Sequence, residues 1–208
     1  MGESDAVARM VAAARVCFAR DGARKTRMAA IAREAGMVRQ TVYDFVSSRR
    51  ELLELALAQR LLELSDVISS RVRAMRGSAS GALVEYLAVV IETVREDPEF
   101  LDISDALGPA DAIRFLTGPS IAQLAATRSI EPFFERARGE NALRPGITLD
   151  DMAEWMRVVC TPLTMRAELE ARELRVWLTK FALPPLLNEQ HLRDAPRRRT
   201  RLRAVPSK

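Results

Sequence analysis

Polar side chains that can contact phosphates or base edges are concentrated in one short segment of the chain. The spacing between residues 38 and 45 predicts a helix whose exposed positions are Arg39, Gln40, Thr41, Tyr43 and Asp44. The first four can donate hydrogen bonds to phosphates or read base edges in the major groove of DNA. Asp44 has two interpretations: it accepts a bond from a cytosine amine, or it points away from the nucleic acid, which is the interpretation we favour.

The residues before and within this helix have the spacing of a helix-turn-helix. Such a motif needs a small residue where two short helices touch, a residue that tolerates positive φ in the turn, and an apolar anchor under the second helix. Ala32, Gly36 and Val42 occupy these three positions. Ile31 and Phe45 are further apolar supports, as is Met37. The sequence therefore predicts a helix-turn-helix within residues 28–47.

No set of residues typical of catalysis or metal binding can be assembled from the sequence. The single histidine, His191, lies near the C-terminal end, and we expect it to be solvated. Without a Ser-His-Asp set, paired carboxylates or a glycine-rich phosphate loop, we predict no enzyme activity, no cofactor and no metal. Cys17 and Cys160 have apolar neighbours and are expected in the core, since a thiol sensor needs an electropositive setting.

The charge of the chain is divided between its segments. The 208 residues carry 32 basic and 28 acidic side chains, for a net charge of +4. Residues 1–50 sum to +5 and residues 193–208 to +6, so the middle of the chain sums to −7. A basic N-terminal part on an acidic body indicates that the N-terminal part meets a polyanion while the body has another role.

The sequence contains no recognisable signal for export or for membrane insertion. No apolar run approaches the roughly 20 residues of a membrane span, and the N-terminus, with Glu3 and Asp5, lacks the apolar region of a signal peptide. The two cysteines lie far apart without a C-x-x-C spacing, which indicates no disulfide framework. We therefore expect a cytoplasmic protein without a membrane partner.

Helical periodicity recurs along nearly the whole chain, which predicts an all-α fold of about nine helices. Thr26 is predicted to cap the second helix. Pro132 is predicted to kink a helix or to separate two. The principal predicted helices cover residues 5–20, 38–45, 49–73, 82–96, 99–107, 120–138, 149–165 and 168–187.

This pattern divides the chain into three parts. Residues 1–48 are predicted to form a three-helix, helix-turn-helix domain that binds DNA, and residues 49–190 a second, helical domain. Residues 191–208 form a basic tail with little apolar content, which we expect to be disordered.

The N-terminal residues resemble the TetR (tetracycline-repressor) family of bacterial transcriptional regulators. That family has a Thr opening the second helix, an Ile-Ala…Ala-Gly turn, a Thr-x-Tyr recognition helix and a Ser-Lys-x-x-Leu start to the fourth helix. The matching residues are Thr26, Ile31, Ala32, Ala35, Gly36, Thr41, Tyr43, Ser48 and Leu52. Two departures occur: Phe45 and Val46 replace a His or Tyr followed by Phe, and Arg49 replaces the usual Lys, exchanging a point charge for a forked donor.

The resemblance implies a homodimer that binds a palindromic operator in double-stranded DNA, more often as a repressor than as an activator. In such proteins a small molecule in the C-terminal domain shifts the spacing of the two recognition helices, and the last two helices form a four-helix bundle with their mates. Together with the exposed helix positions, it implies DNA contacts by Thr26, Arg27, Val38, Arg39, Gln40, Thr41, Tyr43 and Arg49.

Apolar stripes on the last two predicted helices are candidates for the dimer interface. On the last helix the stripe has the spacing i, i+3, i+4, i+7, and the helix before it is apolar on two sides, which suits contact with both its own core and a partner. The candidates are Met152, Leu163, Leu174, Trp177, Leu178 and Phe181. The alternative, that they all belong to the core of one chain, stays open.

A ligand cavity is predicted where helices are bounded by Pro or Gly and packing is loosest. Methionine in such a lining tolerates varied hydrophobic ligands, so we expect a small hydrophobic effector that is either apolar or amphipathic. The candidate lining residues are Phe100, Leu107, Phe115, Leu124, Trp155, Met156 and Val159. For any single one of them, ordinary core packing is the interpretation we favour. An alternative function is an all-helical protein that binds a lipid-like molecule and has no DNA role.

Overall fold

The computed structural model describes residues 3–75, 77–118, 121–166 and 168–193, and within these ranges the fold is all-α. An isolated β-bridge between Leu143 and Leu187 is the sole extended pairing there. The helices are α1 Glu3–Asp21, α2 Met28–Glu34, α3 Arg39–Phe45, α4 Arg49–Ala74, α5 Ala79–Glu96, α6 Pro98–Leu107, α7 Pro109–Thr117, α8 Ile121–Gly139, α9 Leu149–Thr164, α10 Ala171–Trp177 and α11 Glu189–Arg193. A π-helical turn, Leu178–Ala182, extends α10.

Three predicted elements differ from the structure. The helix predicted from residue 168 to 187 begins only at Ala171 and ends at Ala182. Leu183 is still helical at φ −73° and ψ −42°, but Pro184 and Pro185 have no N–H with which to continue the helix. Pro132 neither divides nor ends α8, which packs along α4 and α9 and continues to Gly139. The predicted tail begins as α11, in which the His191 Nδ1 atom lies 2.9 Å from Asn188 Oδ1. Residues 194–208 of that tail lie outside the described residues.

The buried apolar side chains form two cores that meet along α4. The first core joins α1, α2 and α3 to the N-terminal half of α4 and to residues of α6 and α7. The second lies among the rest of α4 and helices α5, α8, α9 and α10. Because α4 contributes to both cores, a rotation of this helix would move side chains that pack against the helix-turn-helix and side chains that pack against the C-terminal helices.

A group of five charged side chains lies where α1 meets α4 and α6, and we name it the junction cluster: Arg15, Arg60, Glu63, Asp97 and Glu99. Arg15 donates to Glu63 at 2.5 and 2.8 Å and to Glu99 at 2.5 and 2.9 Å. Arg60 donates to Glu63 at 2.9 Å and to both carboxylate oxygens of Asp97. The cluster ties the first helix of the helix-turn-helix unit to the helices behind it.

None of the helices in the described ranges is both long enough and apolar enough to cross a bilayer.

Candidate nucleic-acid interface and effector cavity

The turn between α2 and α3 has the geometry that its sequence predicts. Gly36 adopts φ +65°, a left-handed conformation that favours glycine. The Met37 N–H donates to the Ala32 carbonyl at 2.8 Å, which closes the end of α2. Ala32 and Val42 are both buried, the latter completely. A small contact residue, a left-handed turn and a buried anchor thus fix the angle between the two helices.

This packing leaves one face of α3 exposed. Arg39, Gln40 and Tyr43 are exposed there, and Thr41 is half-buried. The Arg39 guanidinium carbon lies 5.5 Å from the centre of the Tyr43 ring, a cation–π contact that holds the donors of both side chains near each other. Val38, which precedes α3, is 69% exposed and free to contact a thymine methyl or sugar.

Asp44 is paired within α3 rather than isolated. The Gln40 amide donates to its carboxylate at 3.4 Å across one helical turn. The pair lies on the exposed surface, so the single acidic side chain of α3 is bound by a neighbouring donor.

Two residues of the predicted DNA surface face the protein instead. Thr26 is 4% exposed, and its hydroxyl donates to the carbonyls of Cys17 and Gly22 at 3.3 and 2.9 Å. It does not cap α2, because Arg27 occupies the N-cap position. Arg49 donates to the Ala23 carbonyl and, at 3.3 Å each, to those of Arg24 and Thr26. Both side chains brace the α1–α2 loop, whereas Arg27 is exposed at the start of α2.

The start of α4, next to α3, is fixed by a cap. The Ser48 hydroxyl accepts a bond from the Glu51 N–H at 3.1 Å, and Glu51 accepts bonds from the hydroxyl and N–H of Ser47 at 2.7 Å each. These bonds from Ser47 lower the pKa of Glu51. The loop that leaves the recognition helix is therefore held in place.

The predicted dimer residues separate into buried and accessible ones. Met152, Leu163, Leu174 and Leu178 are buried in the second core of the chain. Phe181 is 50% exposed and Trp177 partly exposed, and their rings lie 5.1 Å apart. Exposed apolar side chains on α9 and just beyond it, which the sequence did not assign to the interface, are Val158, Pro162 and Met165. Their signal was the i, i+4 and i+7 spacing that begins at Val158.

A cavity of about 80 Å³ lies between α4, α5, α6, α8 and α9. Its lining is mainly apolar, with a few hydroxyls and one charged side chain, Arg157. Drug-sized ligands need about 300 Å³ or more, so the cavity must enlarge to hold one. The lining residues are Leu61, Leu64, Ser65, Ile68, Val90, Val94, Phe100, Leu116, Ala122, Ala125, Ala126, Ser129, Met156, Arg157, Cys160, Thr161 and Thr164.

Two of the predicted ligand residues, Phe100 and Met156, line this cavity. The others lie elsewhere. Leu107 and Phe115 pack in the first core and Val159 in the second, while Leu124 is 50% exposed. Trp155 donates from its indole nitrogen to the Ala182 carbonyl at 3.0 Å, which ties α9 to the π-helical turn.

The structure offers no metal site among its described residues, where no three His, Cys, Asp or Glu side chains are grouped to hold an ion. Cys17 and Cys160 are both buried free thiols.

We expect both thiols to resist iodoacetamide in the folded protein at about pH 7.5, because burial raises the pKa of Cys17 and raises that of Cys160 to about 12. Mass spectrometry after labelling measures this, and the urea-unfolded chain, labelled at both positions, is the control. Rapid modification of either thiol in the native protein would contradict the buried placement.

Fold and site together define a helix-turn-helix protein with a helical domain behind its recognition helix. The profile of the family described as bacterial regulatory proteins, tetR family, matches residues 10–56. The chain thus resembles the TetR family in the region that carries the motif, and its whole fold is that of TetR-family structures.

Two solved structures illustrate the similarity. The transcriptional repressor QsdR of R. erythropolis is 18% identical, with a TM-score of 0.66 over 86% of this chain and 94% of that one. SmeT, the repressor of the Stenotrophomonas maltophilia multidrug efflux pump SmeDEF, is 17% identical, with a TM-score of 0.51 over 89% and 92% of the two chains. No protein of curated function matches the sequence. The profile supports a DNA-binding regulator role, and the solved structures support the fold.

Proposed function

We propose that the protein is a ligand-responsive transcriptional repressor that binds a palindromic operator as a homodimer. The observation that carries the proposal is the exposed face of α3, which presents Arg39, Gln40 and Tyr43 on a helix-turn-helix fixed by Gly36. We assign DNA contact to the predicted domain of residues 1–48, and effector binding and dimerisation to residues 49–190. A role on the genome places the protein in the cytoplasm.

The surface that supports dimerisation is formed by α9 and the π-helical turn. Val158, Met165 and Phe181 are each about half exposed, at 51%, 49% and 50%. Large apolar side chains that group on one surface mark an interaction site, and we infer that these three form one. Of the dimer residues expected from the sequence, Trp177 and Phe181 remain accessible to a partner, and the other four are buried in the second core. A two-fold axis here would set the two α3 helices for half-sites about 34 Å apart.

The cavity supports an effector that changes the conformation. At about 80 Å³ it is too small for a typical effector, so binding must displace helices around it. A ligand that fits only an enlarged cavity prefers the displaced conformation, and this differential affinity is the coupling, typically about 1–3 kcal/mol. Release from the operator follows if the displaced form has the wrong half-site spacing.

Gel-shift titration against the DNA flanking its own gene, and against a randomised library, tests the proposal. We expect binding that depends on a palindrome and that persists at about 0.1 M salt but weakens steeply as salt rises. Absence of DNA retention under these conditions would overturn the proposal and favour the alternative, a helical binding protein for a lipid-like molecule.

Two arginine substitutions can separate the contribution of α3 to operator binding from that of positive charge elsewhere on the protein. Arg39→Ala is expected to weaken operator binding about tenfold or more, since a well-placed arginine contributes about 1–3 kcal/mol. Arg73→Ala, at an exposed arginine in the last turn of α4, is the control and should leave affinity unchanged. Equal losses in both variants would show that α3 is not the reading helix.

A further inference from the structure

The cavity contains a charged group that a purely hydrophobic effector would not need. Arg157 lines it and is only 6% exposed, although its neighbours there are mainly alanine, leucine and valine side chains. A buried guanidinium surrounded by apolar side chains is unfavourable unless its donors are all bonded. Its bonding partners therefore indicate what the site is built to hold.

Arg157 is bonded mostly to neutral acceptors. Its Nε donates to the Leu116 carbonyl at 3.1 Å and its Nη2 to the Gly118 carbonyl at 2.5 Å. Its Nη1 donates to Glu154 at 2.7 Å, but the side chain of Glu154 is 55% exposed. A carboxylate can accept two parallel bonds from one guanidinium, and both partners are then charged, which two separate neutral carbonyls cannot match. The two donors that are bonded to carbonyls would thus gain from an anionic partner.

The lining also discriminates between ligand charges. None of the described residues that line the cavity is acidic, so a cationic ligand would lie near Arg157 with no carboxylate of the lining to pair with. Leu61, Leu64 and Val94 offer an apolar wall suited to an alkyl chain. Glu154 can turn into solvent when a second carboxylate arrives, because it is more than half exposed.

We propose that the cavity binds a small amphiphile with an apolar tail and a carboxylate head, and that Arg157 receives the head. This identifies the chemical class of the effector and rests on the proposed function for its effect on DNA. On binding the carboxylate, Arg157 would give up its bonds to two carbonyls. These belong to Leu116, in the last turn of α7, and to Gly118 just beyond it. Binding of the head therefore releases the C-terminal end of α7.

Contacts of α7 can transmit its movement to the helix-turn-helix. Asp111, in the first turn of α7, lies 3.5 Å from Arg50, at the start of α4 directly after the helix-turn-helix. Helix α7 also packs against α6, which carries part of the junction cluster. A carboxylate bound at Arg157 thus acts on a helix that contacts the elements behind the recognition helix.

Calorimetric titration of the full chain with octanoate, octan-1-ol and octylamine tests the proposal without DNA. We expect octanoate to bind at least about tenfold more tightly than the alcohol, and the amine not to bind. Equal affinity for octanoate and the alcohol, or tight binding of the amine, would overturn it. This comparison uses the unmodified protein, so it does not depend on the folding of a variant.

Substitutions of Arg157 test where the carboxylate head of the ligand binds. Arg157→Gln should lose the preference for octanoate over the alcohol, Arg157→Lys should retain part of it, and Arg172→Gln, at an exposed arginine of α10, should retain all of it. A preference that survives Arg157→Gln in a folded variant, checked by circular dichroism, would contradict the assignment. Operator binding without additive is measured separately, so failure of the DNA role and failure of the ligand assignment give different results.

Discussion

Replacement of Arg15 by methionine is expected to lower the free energy of unfolding by about 2–3 kcal/mol. Arg15 donates four hydrogen bonds to the carboxylates of Glu63 and Glu99, and its own side chain is only 17% exposed. Its removal leaves two carboxylates beside Asp97 with Arg60 as the remaining cation of the junction cluster. Breaking a fully buried pair costs about 3–5 kcal/mol, and the partial exposure of the two glutamates reduces that figure.

A matched control lies on the same helix. Arg20 also bonds two carboxylates, those of Asp21 and Glu34, but its side chain is 51% exposed. We expect Arg20→Met to change the free energy of unfolding far less than Arg15→Met, because exposed ion pairs contribute little. Urea unfolding of the three proteins measures the difference. A similar loss in both variants would show that burial of the junction cluster does not matter.

The effect of Arg15→Met should depend on pH in a defined direction. Hydrogen bonds from Arg15 are the main reason that the pKa of Glu63 is lowered in the folded protein. A lowered folded-state pKa gives stability that is present above the unfolded pKa of about 4.3 and is lost as pH falls through the folded pKa. The stability gap between wild type and variant should therefore shrink between about pH 5 and pH 3. A constant gap would contradict this linkage.

The junction cluster and the cavity share the same turns of helix. Leu61 and Leu64 of the cavity wall follow Arg60 and Glu63 on α4. Phe100, another lining residue, donates its N–H to Asp97 at 2.7 Å and directly follows Glu99. Enlargement of the cavity against Phe100 would therefore act on the carboxylates that hold α1. This would give the proposed effector a second route to the helix-turn-helix, one that acts on α6 directly rather than through α7.

The helix-turn-helix was predictable from sequence because its requirements are local. A small residue, a residue for positive φ and a buried anchor must occur at fixed spacing, and Ala32, Gly36 and Val42 do so. The all-α fold was predictable for the same reason, since the 3.6-residue period is visible within each segment. Helix ends that depend on tertiary packing were harder to predict. Pro132 lies inside α8, where contacts with α4 and α9 outweigh the energetic cost of a proline within a helix.

The partners of individual side chains could not be predicted from periodicity. Arg49 has the sequence position of a phosphate contact, yet its guanidinium bonds to carbonyls of the α1–α2 loop, which is remote in sequence. Arg157 lies in α9, where the sequence pattern indicates only apolar stripes. Its partners at Leu116 and Gly118 are distant along the chain. Apolar stripes have the same limit, since Leu174 and Phe181 share one spacing but only Phe181 is exposed.

The largest effect on DNA binding is expected from Val158→Asp. Val158 is 51% exposed on α9, within the apolar surface that we assign to the partner subunit. A carboxylate there would be buried without a counter-charge on each side of a two-fold interface, so we expect dissociation into monomers. A monomer reaches one half-site only, and operator affinity should fall by about a hundredfold or more, since the half-sites no longer bind as a unit.

The control for this variant is Val67→Asp. Val67 is 43% exposed on α4 and is not one of the residues that we assign to the partner surface, so the same change of side chain meets solvent. Sedimentation equilibrium should show a monomer for Val158→Asp and a dimer for Val67→Asp, with operator affinity changed only in the first. Because helix content by circular dichroism should match wild type in both, loss of binding in the first variant cannot be attributed to unfolding. A dimeric Val158→Asp protein that still binds the operator would place the two-fold interface on another face of the molecule.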